Sequence, residues 1–192
     1  MDNLALIREK IQQSIQVKQD LLADEALVSK IETCALEFVK CFKADGKVLF
    51  CGNGGSAADA QHISAELSGR FYKDRDPLFS EALHVNTSYL TAVANDYSYD
   101  EIYSRLVKAK IRKGDILVGI STSGNSANIV KAFETAKKQG GITIGMTGDT
   151  GGKMKDLSDI LVNVPSSDTP RIQEVHILIG HLICELTEIH MF

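Results

Sequence analysis

His62 and Glu66 stand four residues apart in a stretch with helical spacing, which puts an imidazole and a carboxylate on one face. Such a pair can move protons or ligate a metal. Taken alone, it is also an ordinary surface hydrogen bond, so its setting has to decide. The surrounding stretch, Gly46 to Phe71, reads GKVLFCGNGGSAADAQHISAELSGRF. It predicts a short buried strand over Lys47–Cys51, a glycine turn over Gly52-Asn53-Gly54-Gly55-Ser56, and then the helix that carries the pair. A strand that passes through glycines into a helix start is an anion site, because backbone N–H groups converge there and the helix N-terminus adds positive potential. A phosphate cradle beside an acid/base or metal pair points to a phosphorylated small molecule.

A second turn is more specific. Ser121-Thr122-Ser123-Gly124-Asn125-Ser126 offers four hydroxyls at another strand-to-helix junction. Hydroxyls and N-terminal amides can bind phosphate without a cation. The competing reading is a well-capped helix, since Ser and Asn are common caps. In the last apolar stretch, Gln173, His176 and His181 are the polar exceptions. Each histidine read alone is a core imidazole that has found a partner. Nucleotide readings fit less well. Gly52-x-Gly54-x-x-Ala57 matches a loose dinucleotide fingerprint, but Val85-Asn86-Thr87 supplies no acid for a ribose, and no Gly-Lys-Ser/Thr follows for a P-loop.

Five apolar runs position these groups. They fall at Lys47–Cys51, Ala82–Val85, Ile116–Ile120, Ile142–Met146 and Ile160–Val164. Helical patterns lie between them, including Thr87–Ala94, Tyr99–Arg112 and Ala127–Gln139. Two further helices, over residues 3–22 and 25–44, precede the first strand. The alternation predicts an α/β fold: three layers, a five-stranded parallel sheet between helices, in one domain over residues 1–192. Ligands in such folds bind at the carboxyl ends of the strands, where the small-residue turns lie. The last helix, Arg171–His190, is apolar on most sides, which predicts burial on most sides and, in a chain this small, burial between subunits.

Bulk properties exclude several classes. The 192 residues are 44% hydrophobic and 24% charged, as in ordinary globular proteins. A net charge of −4 gives no basic face for nucleic acid. No apolar run reaches membrane-spanning length and the N-terminus lacks a signal-peptide core, so a cytoplasmic protein is expected. Cys34, Cys41, Cys51 and Cys184 form no C-x-x-C pair and are expected to be reduced, buried thiols.

In order along the chain stand C-G-N-G-G-S, H-x-x-x-E, A-N-D, G-I-S-T-S-G-N-S, T-G-D-x-G-G-K-M and R-I-Q-E-x-H. In this combination the sequence resembles the bacterial phosphoheptose isomerases of the sugar-isomerase (SIS) domain group, over nearly its whole length. The resemblance implies a five-stranded SIS fold, flavodoxin-like, and a homotetramer with active sites between subunits. It implies one divalent metal per subunit, usually zinc, on His62, Glu66, Gln173 and His181. Glu66 and His181 match the acid/base pair. Asn53, Gly54, Gly55, Ser56, Asn95, Asp96, Ser121, Thr122, Ser123, Ser126 and Gln173, with Glu66, match substrate contacts, the Ser121–Ser126 loop holding the phosphate. The implied reaction converts sedoheptulose 7-phosphate to D-glycero-D-manno-heptose 7-phosphate, on the route to ADP-heptose and the lipopolysaccharide core. Some members have an acid before the arginine, where this chain has Pro170. Gln173 and His181 are eight residues apart, about 12 Å along a helix and roughly 80° around it. They converge on one ion between them, or one comes from another subunit. Some close SIS relatives are instead non-catalytic phosphosugar-binding proteins or associate with a replication initiator. Those lack the Glu and His that this chain keeps.

Overall fold

The structure, a computed structural model, describes residues 2–192. Two helices open it, α1 over Asn3–Ala23 and α2 over Glu25–Lys43. Asp2 caps the first, its Oδ1 accepting from the Leu4 and Ala5 N–H groups at 3.0 and 3.2 Å. Asp24 ends α1 and caps α2 through the Leu27 N–H at 3.0 Å, so one residue makes the hairpin. Then follow β1 (Val48–Gly52), α3 (Gly55–Ser68), β2 (Ser80–Ala82), α4 (Thr87–Asp96), α5 (Ile102–Lys110), β3 (Ile116–Ser121), α6 (Ala127–Lys138), β4 (Ile142–Thr147), β5 (Ile160–Asn163) and α7 (Thr169–Met191). Short 3₁₀ turns cover Tyr99–Glu101 and Gly152–Leu157.

The five strands are all parallel, in the order β2-β1-β3-β4-β5. Alternate residues of each strand face opposite layers. Val48, Phe50, Val118, Ile144 and Val162 pack with apolar residues of α1, α2, α3 and α7. Leu49, Cys51 and Leu117 pack with those of α5 and α6 and with Met154 of the second 3₁₀ turn. This is the three-layer arrangement that the alternation predicts. The chain winds outward from β1 to β2, then returns to β3 on the other side of β1. The reversal opens a crevice between the carboxyl ends of β1 and β3, where ligands of such sheets bind.

Local differences from the sequence expectation have physical causes. The second strand lies at Ser80–Ala82 rather than 82–85, since it is an edge strand registered only on β1 (Val48↔Ser80, Phe50↔Ala82). Its ladder closes with the Leu83 N–H on the Phe50 carbonyl at 2.9 Å, and Val85 turns out to solvent. The helix expected over 99–112 is regular only from Ile102 to Lys110. Within the chain, α7 packs on α1, α2 and α3, burying Ile172, Val175, Ile179 and Ile183. Ile177, Leu182 and Leu186 stay half-buried and Ile189 exposed, so one chain does not use up its apolar surface.

Candidate active site

The crevice holds a cavity of about 360 Å³ lined by Asn53, Gly54, Gly55, Ser56, Ile120, Ser121, Thr122, Ser123, Ser126, Thr169 and Gln173. Three helices begin at its wall: α3 at Gly55, α6 at Ala127 and α7 at Thr169. None of their three N-cap residues, Gly54, Ser126 and Asp168, makes a side-chain capping bond. Three sets of N-terminal partial positive charge therefore border one small space, which suits an anion. The rival reading of Ser126 as a cap fails here, because its hydroxyl meets the Ser121 hydroxyl at 2.9 Å instead.

The phosphate-type loop is braced from behind. The Gly148 N–H donates to the Thr122 carbonyl at 2.9 Å, the Met154 N–H to Gly124 at 3.0 Å, and the Lys153 N–H to the Asn125 side chain at 3.0 Å. Gly124 sits at φ +64°, and a Cβ there would run into the Gly151 carbonyl. The glycine-rich segment after β4 is thus a buttress for the loop after β3. On the other rim, Asn53 and Asn128 exchange amide hydrogen bonds at 3.0 and 2.9 Å, and the Tyr99 hydroxyl adds a third at 3.1 Å. Asn128, Tyr99 and Thr169 were not legible as site residues, since each is a polar residue at a helix or turn start with no spacing signal.

The pair singled out first forms as expected. His62 Nε2 and Glu66 Oε1 are 3.0 Å apart on α3. His181 of α7 comes to them, its Nε2 at 3.4 Å from that of His62. One ligand atom from each of the three residues lies within 4.8 Å of the others, and the side chains of His62 and Glu66 are 49% and 23% exposed, open to a ligand. Tetrahedral ligands with metal bonds of about 2.0–2.1 Å stand roughly 3.3 Å apart. The observed separations and the N/N/O donor set fit one divalent cation. Helices α3 and α7 run side by side here: a Cβ at Gly180 would collide with Ile63, and Cys184 Sγ lies 3.9 Å from the Ile63 carbonyl oxygen.

The Gln173 side chain makes no hydrogen bond to that cluster and lies at the start of α3. A Cβ at Gly55 would lie 2.7 Å from its Nε2, so its amide rests against the start of α3, in the cavity. Gly55 and His62 are seven residues apart, about 10 Å along α3 and nearly on one face. The cavity and the His–Glu–His cluster are thus two ends of one helix pair. Asn95 and Asp96 lie elsewhere, exposed in the last turn of α4 and hydrogen-bonded to each other at 2.9 Å, outside the cavity lining.

His176 is fully buried, its Nε2–H donating to the Thr147 carbonyl at 3.1 Å while Nδ1 has no partner. Burial pushes its pKa down to about 4, so it is a neutral core imidazole. All four cysteines are buried and free. Burial pushes the Cys34 and Cys184 thiols up to about 12 and Cys41 to about 11, so they stay protonated and are not nucleophiles near neutral pH.

Comparison with known proteins places the chain in a family. The SIS domain family model matches residues 11–148. The chain is similar to the phosphoheptose isomerase of Aneurinibacillus thermoaerophilus, 53% identical over 97% of this chain and 94% of that one. It is 50% identical to phosphoheptose isomerase 2 of Campylobacter jejuni, over 100% of this chain and 96% of that one. The solved structure of a phosphoheptose isomerase from Neisseria gonorrhoeae, 43% identical, superposes with a TM-score of 0.90, covering 96% of this chain and 98% of its own.

Proposed function

The chain belongs to the phosphoheptose isomerase family of SIS domain proteins, and from that premise we propose that it interconverts sedoheptulose 7-phosphate and D-glycero-D-manno-heptose 7-phosphate. The observation that carries this reading is the convergence of His62, Glu66 and His181 on the same two helices whose N-terminal ends line the hydroxyl-rich cavity. An extended seven-carbon sugar phosphate is of the length that separates those two ends. In this reading the phosphate lies against Ser121, Thr122, Ser123 and Ser126, and the N-terminal dipoles of α3, α6 and α7 offset its charge. Asn53, Gly54, Gly55 and Ser56 meet the sugar hydroxyls, with Asn53 held in one orientation by Asn128 and Tyr99. Asn95 and Asp96 contact substrate once α4 is brought to the site, by movement or from a second subunit.

Isomerisation moves a hydrogen between C1 and C2 through an enediol. Glu66 takes the proton from C1, the C1–H electron pair becomes the C1=C2 bond, and the carbonyl pair moves onto O2. His181 delivers a proton to O2 and accepts one from O1 as the C1 carbonyl forms. The Glu66 carboxyl, 23% exposed, exchanges its proton with solvent while the enediol is bound, and then delivers a proton to C2. His62, Glu66 and His181 would hold one Zn²⁺ per subunit, which supplies polarisation of the substrate oxygens and stabilisation of charge developing there. Gln173, whose amide rests against Gly55, would supply the fourth ligand by turning toward His62 or across a subunit boundary.

We further read the protein as a cytoplasmic homotetramer. Leu4, Ile7, Ile11 and Ile15 form an exposed stripe on α1, and Leu22, Val28 and Leu36 are exposed beside it. A groove of about 490 Å³ between α1, α2 and α7 is lined by Leu21, Leu22, Val28, Ile31, Leu182 and Leu186 among others. That much contiguous apolar surface marks a protein contact. Free, buried cysteines suit a reducing compartment. No helix among the described residues is long and apolar enough to cross a membrane.

The test is to incubate purified protein with sedoheptulose 7-phosphate and assay aldose phosphate, with and without chelator. The expected outcome is turnover that chelator removes and Zn²⁺ restores, and a kcat about 10²–10⁴-fold lower in metal-loaded Glu66→Gln. Full kcat in that variant contradicts the role of Glu66. Binding without turnover in the wild type would move the chain to the non-catalytic SIS proteins.

A further inference from the structure

The charged loop between α3 and β2 has no part in the mechanism above, yet it touches the His–Glu–His cluster from two sides. Phe71 lies on the ring of His181, with centroids 5.6 Å apart and planes inclined by 23°. His62 meets the same ring edge-on, at 5.0 Å and 72°. The His181 imidazole is therefore held between an aromatic face and its fellow ligand.

Phe71 is itself held by a buried carboxylate. Glu188 of α7 accepts from the backbone N–H groups of Phe71, Tyr72 and Lys73 at 3.0, 2.9 and 3.0 Å, and from Arg75 Nε at 2.9 Å. Arg75 in turn donates to the carbonyls of Glu66, Leu67 and Gly69 at 2.8, 2.7 and 3.1 Å, closing the last turn of α3. Both charged side chains are only 2% exposed. A buried ion pair adds little net stability over an apolar packing of the same volume. What this one does is geometric. It ties the backbone at Glu66 and the ring beside His181 to a single point on α7.

We infer that Phe71, anchored by the Glu188–Arg75 pair, is a positioning residue that fixes the orientation of the His181 imidazole for metal binding. The inference rests on the reading of His62, Glu66 and His181 as metal ligands. Outer-shell partners that hydrogen-bond a metal-ligating histidine typically change affinity by about 10–100-fold when removed, and the stacked ring of Phe71, which orients His181 without a hydrogen bond, is assigned the lower end of that range. Phe71→Leu keeps the loop and its apolar contact but removes the flat face. Glu188→Gln keeps the shape but removes the charge that gathers the loop.

The experiment titrates chelator-stripped full-length protein with Zn²⁺ in competition with a chromophoric chelator, for wild type, Phe71→Leu, Phe71→Tyr, Glu188→Gln and His181→Ala. Circular dichroism and Tm of the metal-free proteins are measured alongside. The expected result is a Kd raised about 10-fold or more in Phe71→Leu and in Glu188→Gln, with Phe71→Tyr within about twofold of wild type. A metal-free Tm for Phe71→Leu close to wild type separates positioning from general loss of structure. If His181→Ala abolishes the site while folded Phe71→Leu binds Zn²⁺ within about twofold of wild type, the inference is overturned and the ligand reading stands. If His181→Ala binds as wild type does, the ligand reading fails and takes the inference with it. Should Glu188→Gln not fold, Phe71→Leu decides alone.

Discussion

At the scale of single residues, what matters is which polar groups are occupied by the fold and which are left for a ligand. The hydroxyl of Ser126 is at a helix start but makes no cap, turning to Ser121 across the cavity instead. Ser126→Ala is expected to raise KM for the phosphorylated substrate about 10–100-fold, the worth of roughly 1.5–3 kcal/mol for a hydrogen bond to a charged group, with helix stability little changed. Steady-state kinetics beside a thermal melt checks it. His176 is the opposite case, a group wholly used by the fold. Its Nδ1 faces no acceptor, so a proton there would bring an unpaired charge into the core. The unfolded chain takes up that proton as pH falls through the usual histidine value of 6.5, whereas the folded chain resists until about 4. Between those values the unfolded state binds more protons, so stability falls on acidification, by on the order of 3 kcal/mol in all from this group. Denaturant unfolding of metal-free protein at several pH values should show this dependence weakened in His176→Gln, whose amide can still donate to Thr147.

At the scale of elements, the site is a pairing of α3 with α7, and that pairing depends on the absence of a side chain at Gly180. Gly180→Ala is expected to destabilise by about 1–3 kcal/mol through overpacking against Ile63, lowering Tm by several degrees and weakening Zn²⁺ binding together. The strands and helices that form this frame were legible because their apolar periods are regular. The alternation also placed the glycine and serine turns on one edge of a parallel sheet, whereas the strand order, and with it the reversal of winding beside β1, is visible only in the fold. His62 and Glu66 could be paired from spacing alone, since both lie on one helix. His181 could not be joined to them by any local rule, because 115 residues separate it from Glu66 and only the packing of α7 on α3 brings it there. The resemblance to a family bridged that gap. The Glu188–Arg75–Phe71 brace had no such signal: a glutamate late in a helix and an arginine in a charged loop read as solvated until burial shows otherwise. The Asn95–Asp96 pair illustrates the reverse, a motif that was visible in the chain and is not brought to the cavity by the fold of one subunit.

At the scale of the whole molecule, the proposed function divides the labour between the two ends of the helix pair, one to hold a phosphate and the other to move a proton. The cavity wall offers hydroxyls, amides and helix starts, none of which titrates near neutral pH, so it can bind but not exchange protons. The His–Glu–His cluster supplies the titratable groups and lies about 10 Å further along the helices. The exposed apolar stripe of α1, which meets the start of α7 where Arg171 donates to the Lys10 carbonyl, and the half-covered side of α7 are the surfaces on which the proposed subunit contact would form. The central claim is that Glu66 carries a proton between C1 and C2 through an enediol. Turnover of sedoheptulose 7-phosphate in D₂O by the metal-loaded protein, followed by NMR over many turnovers, tests it most directly. The account predicts an aldose heptose phosphate with solvent deuterium at C2, formed at a rate that Glu66→Gln cuts by orders of magnitude. An aldose product free of deuterium at C2, as a direct hydride shift would give, or no aldose product at all, would contradict it.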